Sequence, residues 1–364
     1  RRCGRPQLTR QREDPIAMHR APRPPRPARA SARVAVVTIA ALAATSAAFA
    51  HDVDPTKLPL GDGKLSDSPK TGYIWACHTN PDGGGAQVEG PWIDRQNGTF
   101  DITAKAIVDG SVSWPHSFTM TQEGDARVIA WNALPDHPTG TYPIARSDDA
   151  FQYDRNPNSI AEHHMELALP LEPQLAASPT CAPGAVGVLL SGVVLFNALD
   201  APGRDAVAHE TQDACQGHPQ QGSVYHYHNA SSCVLAELDP GTGQSKLIGY
   251  AIDGFGIYGP RDENGETLSS ADLDECHGIT SEVDWNGERR VMYHYVATMD
   301  FPYTVGCLRG EWSRDDLRTI SGPPPQGGPG MGGPRMGGPG GQGFRRPPGG
   351  GPPRGRPGFP PPMR

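Results

Sequence analysis

The chain has 364 residues, of which 20% are charged and 36% hydrophobic, and a formal net charge of −8; that length is ample for a sizeable core. The average conceals uneven segments: residues 1–50 carry ten Arg against Glu13 and Asp14, residues 321–364 carry six Arg and no acid, and residues 51–320 hold 16 basic against 38 acidic residues, a net of −22. Such a body repels nucleic acid, which is excluded as a partner, and suits cations.

In chain order, residues 1–17 read as sequence upstream of Met18. From Met18 an Arg-rich stretch (Arg20 to Arg33), the apolar run from Val34 to Ala44 and the small-x-small site Ala48-Phe49-Ala50 have the composition and order of a secretory signal peptide. The apolar run is too short for a comfortable membrane span, and no other stretch of that kind follows, so a secreted or periplasmic chain without a transmembrane segment is expected. Cleavage after Ala50 would leave His51 first, where its α-amine and imidazole together could chelate copper as a histidine brace if the body supplied a second histidine.

Residues 51–70 are polar and rich in Pro and Gly, and read as irregular. Strand signals begin at Gly72-Tyr-Ile-Trp-Ala-Cys77 and continue at Thr99 to Val108, Ser111-Val-Ser-Trp114 and Ala126 to Trp131, each short, β-branched or aromatic, and bounded by turn residues. Recurrent prolines from Pro143 to Pro183 exclude long helices. The apolar run Val186 to Phe196, with Gly192 inside it, fits a buried strand or tight hairpin. Short helices are expected only from Ser269 or Ser270 and from Ser313. The prediction is a mainly β fold: a single compact, sandwich-like domain over 71–320 with long ordered loops. Residues 321–364, dominated by Gly and Pro with Met, Gln and Arg, cannot offset their chain entropy by burial and read as a disordered tail.

Apart from Cys3 in the leader, the cysteines are Cys77, Cys181, Cys215, Cys233, Cys276 and Cys307. In an exported chain these imply three disulfides, for which fifteen connectivities exist. Local pairing favours Cys215 with Cys233 and Cys276 with Cys307, leaving Cys77 for Cys181. No C-x-x-C spacing points to a thiolate metal site.

The chemistry concentrates at Tyr225-His226-Tyr227-His228. On a strand the two tyrosines face one way and the two histidines the other, so the pair could hold one metal ion or form two well-bonded structural histidines. His218 precedes the motif, and Tyr293-His294-Tyr295 repeats part of it, which makes His218 and His294 the next candidate ligands. Asp213 and Asp253 are candidate supporting groups or general bases. Imidazole donors favour Zn²⁺ or Cu²⁺ over Ca²⁺. His137, His163 and His164 read as surface or satisfied core histidines, and His277 as a loop cap. No nucleophile elbow, phosphate loop or dinucleotide fingerprint occurs, so no nucleotide cofactor is expected. Asn97 and Asn229 open formal glycosylation sequons. Two classes stay open: a metal-dependent hydrolase or oxidoreductase, and a non-catalytic module that recognises an envelope polymer or an extracellular protein.

An ordered series then resembles the YHYH-domain proteins, an exported family: Asn156-Pro-Asn-Ser-Ile160, Val186-Gly-Val-Leu-Leu-Ser-Gly192, Asp213-x-Cys-x-Gly-His218-Pro, Tyr225-His-Tyr-His228, Ile248-Gly-Tyr-Ala-Ile-Asp-Gly254, Leu273-Asp-Glu-Cys276, Tyr293-His-Tyr295 and Phe301-Pro-Tyr-x-x-Gly-Cys307. It covers about 130–310. The resemblance implies that His218, His226, His228 and His294 belong to the family pattern, and it brings no established activity. His277 departs from it, since Asn is usual after Asp-Glu-Cys.

Overall fold

The computed structural model describes residues 53–81 and 83–322. The leader and signal-peptide reading, Cys3, His51 and the Gly/Pro-rich tail lie outside the described residues.

The protein is mainly β. Eight strands form the central sheet: β1 (Ala185–Leu189), β2 (Val194–Phe196), β3 (Gly217–Pro219), β4 (Tyr225–Tyr227), β5 (Leu247–Ala251), β6 (Gly256–Tyr258), β7 (Gly278–Trp285) and β8 (Glu288–Val296). Their order across the sheet is β3-β4-β2-β1-β5-β6-β8-β7. Strand β1 is buried along its whole length and β2 at Val194 and Leu195, which is why Val186 to Phe196 reads as a mostly apolar run instead of an alternating one. Gly192 turns that run back at φ 75°, a conformation that costs glycine nothing.

A three-stranded antiparallel sheet of Phe118–Glu123, Ala126–Trp131 and Met165–Pro170 lies against the central sheet. Ala126–Trp131 and Met165–Pro170 show the alternation of a half-buried sheet, with Ile129, Trp131, Leu167 and Leu169 entering the same core as Val186, Val188 and Tyr250. Among the described residues helices are few: α1 (Ala206–His209), α2 (Ser232–Leu238) and α3 (Arg314–Ile320), with 3-10 turns at Asp149–Gln152 and Ser270–Asp272. Among the described residues no helix is long and apolar enough to cross a membrane.

Three expected strands are absent or broken. At Gly72–Cys77 the backbone bonds singly to distant partners, Trp75 N to Gly306 O at 2.9 Å and Cys77 N to Ala182 O at 2.9 Å, so no ladder forms. Within 99–108 only Thr99–Phe100 and Ile107–Val108 are strands. Between them Asp101 accepts from Thr103 N at 2.8 Å and Ala104 N at 3.1 Å, an Asx turn that competes with the sheet. Ser111–Trp114 makes only the bridge from Val112 to Thr139. Helix α2, which begins at the cap Ser231 with Cys233 N donating to its hydroxyl at 3.2 Å, had no place among the expected helices.

Candidate functional site

The register of β3, β4 and β2 assembles the site. Residue His218 is the direct antiparallel partner of His226, so the two side chains leave the sheet on the same face. His228 lies two residues on and shares that face. The three imidazoles form a group whose ligand atoms all lie within 4.8 Å of one another, each ring only 3% exposed. On the other side, Phe196 of β2 packs on the ring of His226 with centroids 4.2 Å apart.

The fourth polar group is Glu210. Asp205 caps α1, accepting from Ala208 N at 3.3 Å, and the buried turn of α1 delivers Glu210 at its C-terminal end. Glu210 Oε2 lies 3.5 Å from His218 Nε2 and 3.4 Å from His228 Nε2, while His226 Nε2 and His228 Nε2 are 3.2 Å apart. Donors about 2.0–2.1 Å from a tetrahedral Zn²⁺ stand roughly 3.3 Å from one another, so these separations match those of ligands sharing one ion. Neither ring nitrogen of His218 has a hydrogen-bond partner, and neither does Glu210 Oε2. Orphaned buried polar atoms are costly, and here His218 Nε2 and Glu210 Oε2 lie within 3.5 Å of each other beside His228 Nε2.

The tautomers are set from behind. His228 Nδ1 donates to Asn197 O at 2.6 Å and His226 Nδ1 lies 3.3 Å from Val224 O, which places the protons on Nδ1 and leaves the Nε2 lone pairs toward the cluster. Asn197 is itself fixed, donating to Pro183 O at 2.8 Å and accepting from Leu199 N at 2.9 Å. Burial, reinforced by the neighbouring imidazoles, holds His218 and His226 well below the ordinary histidine range, and burial brings His228 down to about 4. All three are neutral near pH 7, the form that ligates. Burial, with the nearby Asp154 and Asp200 carboxylates, pushes Glu210 well above the usual carboxylate range. Lys105, lowered by burial to about 8, bonds to Val207 O and to Gln212 Oε1 at 2.6 Å.

The tyrosines on the opposite face do different work. Tyr225 donates to both oxygens of Asp213, at 2.9 and 2.8 Å, and Asp213 also accepts from Gly140, Cys215 and Gly217 backbone N–H groups. Asp253 is held likewise by Tyr295 at 2.6 Å and by Gly310 N at 2.9 Å. Both carboxylates are spent on fixing loops, so neither is placed as a base beside the histidines. Tyr227 bonds to His137, and His277 meets Thr298 Oγ1 at 3.0 Å.

His294 is not brought to the cluster. It lies on β8, across four intervening strands from β4, roughly 24 Å at about 4.8 Å per strand, against the ring of Tyr258. Conversely, Glu210 was absent from the sequence-derived candidates: eight residues from His218, it has no ligand spacing, and only the capped turn of α1 aims it.

Three disulfides close the described chain, Cys77–Cys181, Cys215–Cys233 and Cys276–Cys307, the local connectivity favoured above. Cys215–Cys233 clamps the two ends of the β3–β4 hairpin that carries all three clustered histidines.

The class so defined is a mainly β, disulfide-closed domain with a buried three-histidine cluster able to hold a metal ion. Residues 166–268 match the family model described as YHYH protein, and the match supports membership of that family. The matched segment includes Glu210, His218, His226 and His228, and stops short of Cys276, His294 and the Phe301-Pro motif. No curated protein and no solved structure matches the chain.

Proposed function

We propose that this protein is an exported metal-binding domain in which His218, His226 and His228 hold one divalent ion, with Glu210 as the fourth donor. The observation that carries the reading is the pair of unpartnered buried atoms, His218 Nε2 and Glu210 Oε2, beside two imidazoles whose lone pairs are already turned toward them. An ion held by His218 Nε2, Glu210 Oε2 and the Nε2 atoms of His226 and His228 satisfies both at once, and the Glu210 carboxylate offsets half of its charge. Three imidazoles and a carboxylate suit Zn²⁺, with Cu²⁺ next, and do not suit Ca²⁺.

The ion serves structure. With every imidazole buried to 3% exposure, a substrate-sized molecule has no approach, while the ion ties the end of α1 to the β3–β4 hairpin and, through Asn197, to β2. Three disulfides support work in an oxidising compartment outside the cytoplasm.

The test is metal analysis of the mature chain purified without added metal, with thermal melts before and after chelation. One ion per chain and a melting temperature lowered by chelation are expected; at a free ion concentration 100 times Kd, binding stabilises by about 2.7 kcal/mol. Absence of Zn, Cu, Mn and Ca, together with melting unchanged by added Zn²⁺ or Cu²⁺, refutes the proposal.

A further inference from the structure

The central sheet is symmetric about its midline. Reading outward from the β1/β5 junction, β1, β2, β4 and β3 on one side correspond to β5, β6, β8 and β7 on the other. The junction pairs Val188 with Tyr250, flanked by Leu189 with Gly249 and Gly187 with Ala251, a register that maps onto itself when the halves are exchanged. Leu190 N donates to Ile248 O at 2.8 Å and Ile252 N to Val186 O at 2.9 Å, one bond in two copies.

The sequence follows the same exchange. Val186–Ala206 aligns without a gap onto Ile248–Leu268, keeping Gly187, Gly192, Asp200 and Gly203 as Gly249, Gly254, Asp262 and Gly265. The Asp200 N to Arg204 O bond at 2.9 Å recurs as Asp262 N to Glu266 O at 3.0 Å. Asp213-x-Cys215-x-Gly217 recurs as Asp274-x-Cys276-x-Gly278. In each copy the Asp Oδ1 accepts from the Cys and Gly N–H groups and from a strand tyrosine, Tyr225 or Tyr293. In each, a Cβ on that glycine would strike the tyrosine ring, and the residue before it has positive φ, 63° at Gln216 and 71° at His277. Shared details of this number, down to a strained backbone position, mark two copies of one unit.

The exchange maps the site. Gly217 pairs with Tyr227 as Gly278 pairs with Tyr295, and His218 pairs with His226 as Ile279 pairs with His294. His226 on Phe196 becomes His294 on Tyr258, with the same 3.3 Å from Nδ1 to the carbonyl two residues back. His228 becomes Val296. A small pocket lined by His294, Ile279, Val296 and Tyr258 stands where the first half has its histidines.

We propose that the domain is an internal duplication in which the second half keeps the frame of the metal centre and one of its ligands, His294, and that Ile279 and Val296 are what limit the chain to one ion. This rests on the metal reading of the first half. The experiment compares ions bound per chain in wild type, Ile279→His/Val296→His, and that double variant with His294→Ala. One, two and one are expected, and His294→Ala alone keeps one. A folded double variant that still holds a single ion in the presence of excess Zn²⁺ overturns the proposal. If the double variant does not fold, the reverse exchange decides: His218→Ile/His228→Val must bind no ion and keep the circular dichroism spectrum of the chelated wild type, and loss of its fold where the chelated wild type stays folded overturns the equivalence. A wild-type chain without an ion refutes the metal centre instead, and the fold of the reverse variant then still reports on the duplication.

Discussion

Replacing Tyr225 by Phe removes a single oxygen from the face opposite the histidines. The Tyr225 hydroxyl is the side-chain donor to Asp213, 2.9 and 2.8 Å from its two oxygens, and three backbone N–H groups supply the rest. Asp213 is 2% exposed, so water cannot take the hydroxyl's place. A hydrogen bond to a charged group contributes roughly 1.5–3 kcal/mol, and at about 2 kcal/mol the melting temperature of a domain this size falls by about 4–8 °C. The duplicate tyrosine provides the comparison. Tyr293 donates to Asp274 at a longer 3.2 Å, and the Asp274 side chain is 29% exposed, so Tyr293→Phe is expected to cost about 1 kcal/mol or less. The two differ again in ion affinity: the loop that Asp213 braces leads into His218, so Tyr225→Phe weakens metal binding and Tyr293→Phe does not. Calorimetry with a Zn²⁺ titration reads both quantities. Equal melting losses in the two variants, or a Tyr225→Phe protein within 1 °C of wild type, would show that the hydroxyl does not carry this carboxylate.

Glu210→Gln keeps the shape and removes the charge, and is expected to weaken ion affinity by more than the roughly 10- to 100-fold that loss of an outer-shell partner costs; an unchanged titration removes Glu210 from the site. His294, lowered by burial to about 4 in the folded chain against roughly 6.5 unfolded, makes stability fall with acid. Its contribution is complete above the unfolded value, shrinks as pH drops through 6.5, and levels off below 4. Between pH 7 and pH 5 wild type should therefore lose about 2 kcal/mol more than His294→Leu, read from urea midpoints, and parallel losses contradict the burial. Converting Cys215 and Cys233 to Ser opens a loop with a sequence separation of 18; about 3 kcal/mol of stability should go, together with part of the metal affinity. Full affinity in that variant would mean that the hairpin holds its histidines without the clamp.

Local pattern was enough to show a mainly β chain, the buried run at Val186–Phe196 and the gathering of His226 and His228 on one face, because each depends on strand periodicity or on neighbouring residues. Local cysteine spacing likewise pointed to the disulfides that close the hairpins. The broken strand at 99–108 escaped the same reasoning, since Asp101 competes with the ladder through a side-chain bond that propensity does not weigh. What only the tertiary structure decided is which histidines meet. Tyr293-His294-Tyr295 looks like a fellow ligand in sequence, yet the exchange of halves carries it to the far side of the sheet. Glu210 looks like any acid until α1 turns it inward. Convergence of side chains is a property of strand order and register, and these are set by long-range pairing across the β1/β5 junction, where no single stretch of sequence holds the information.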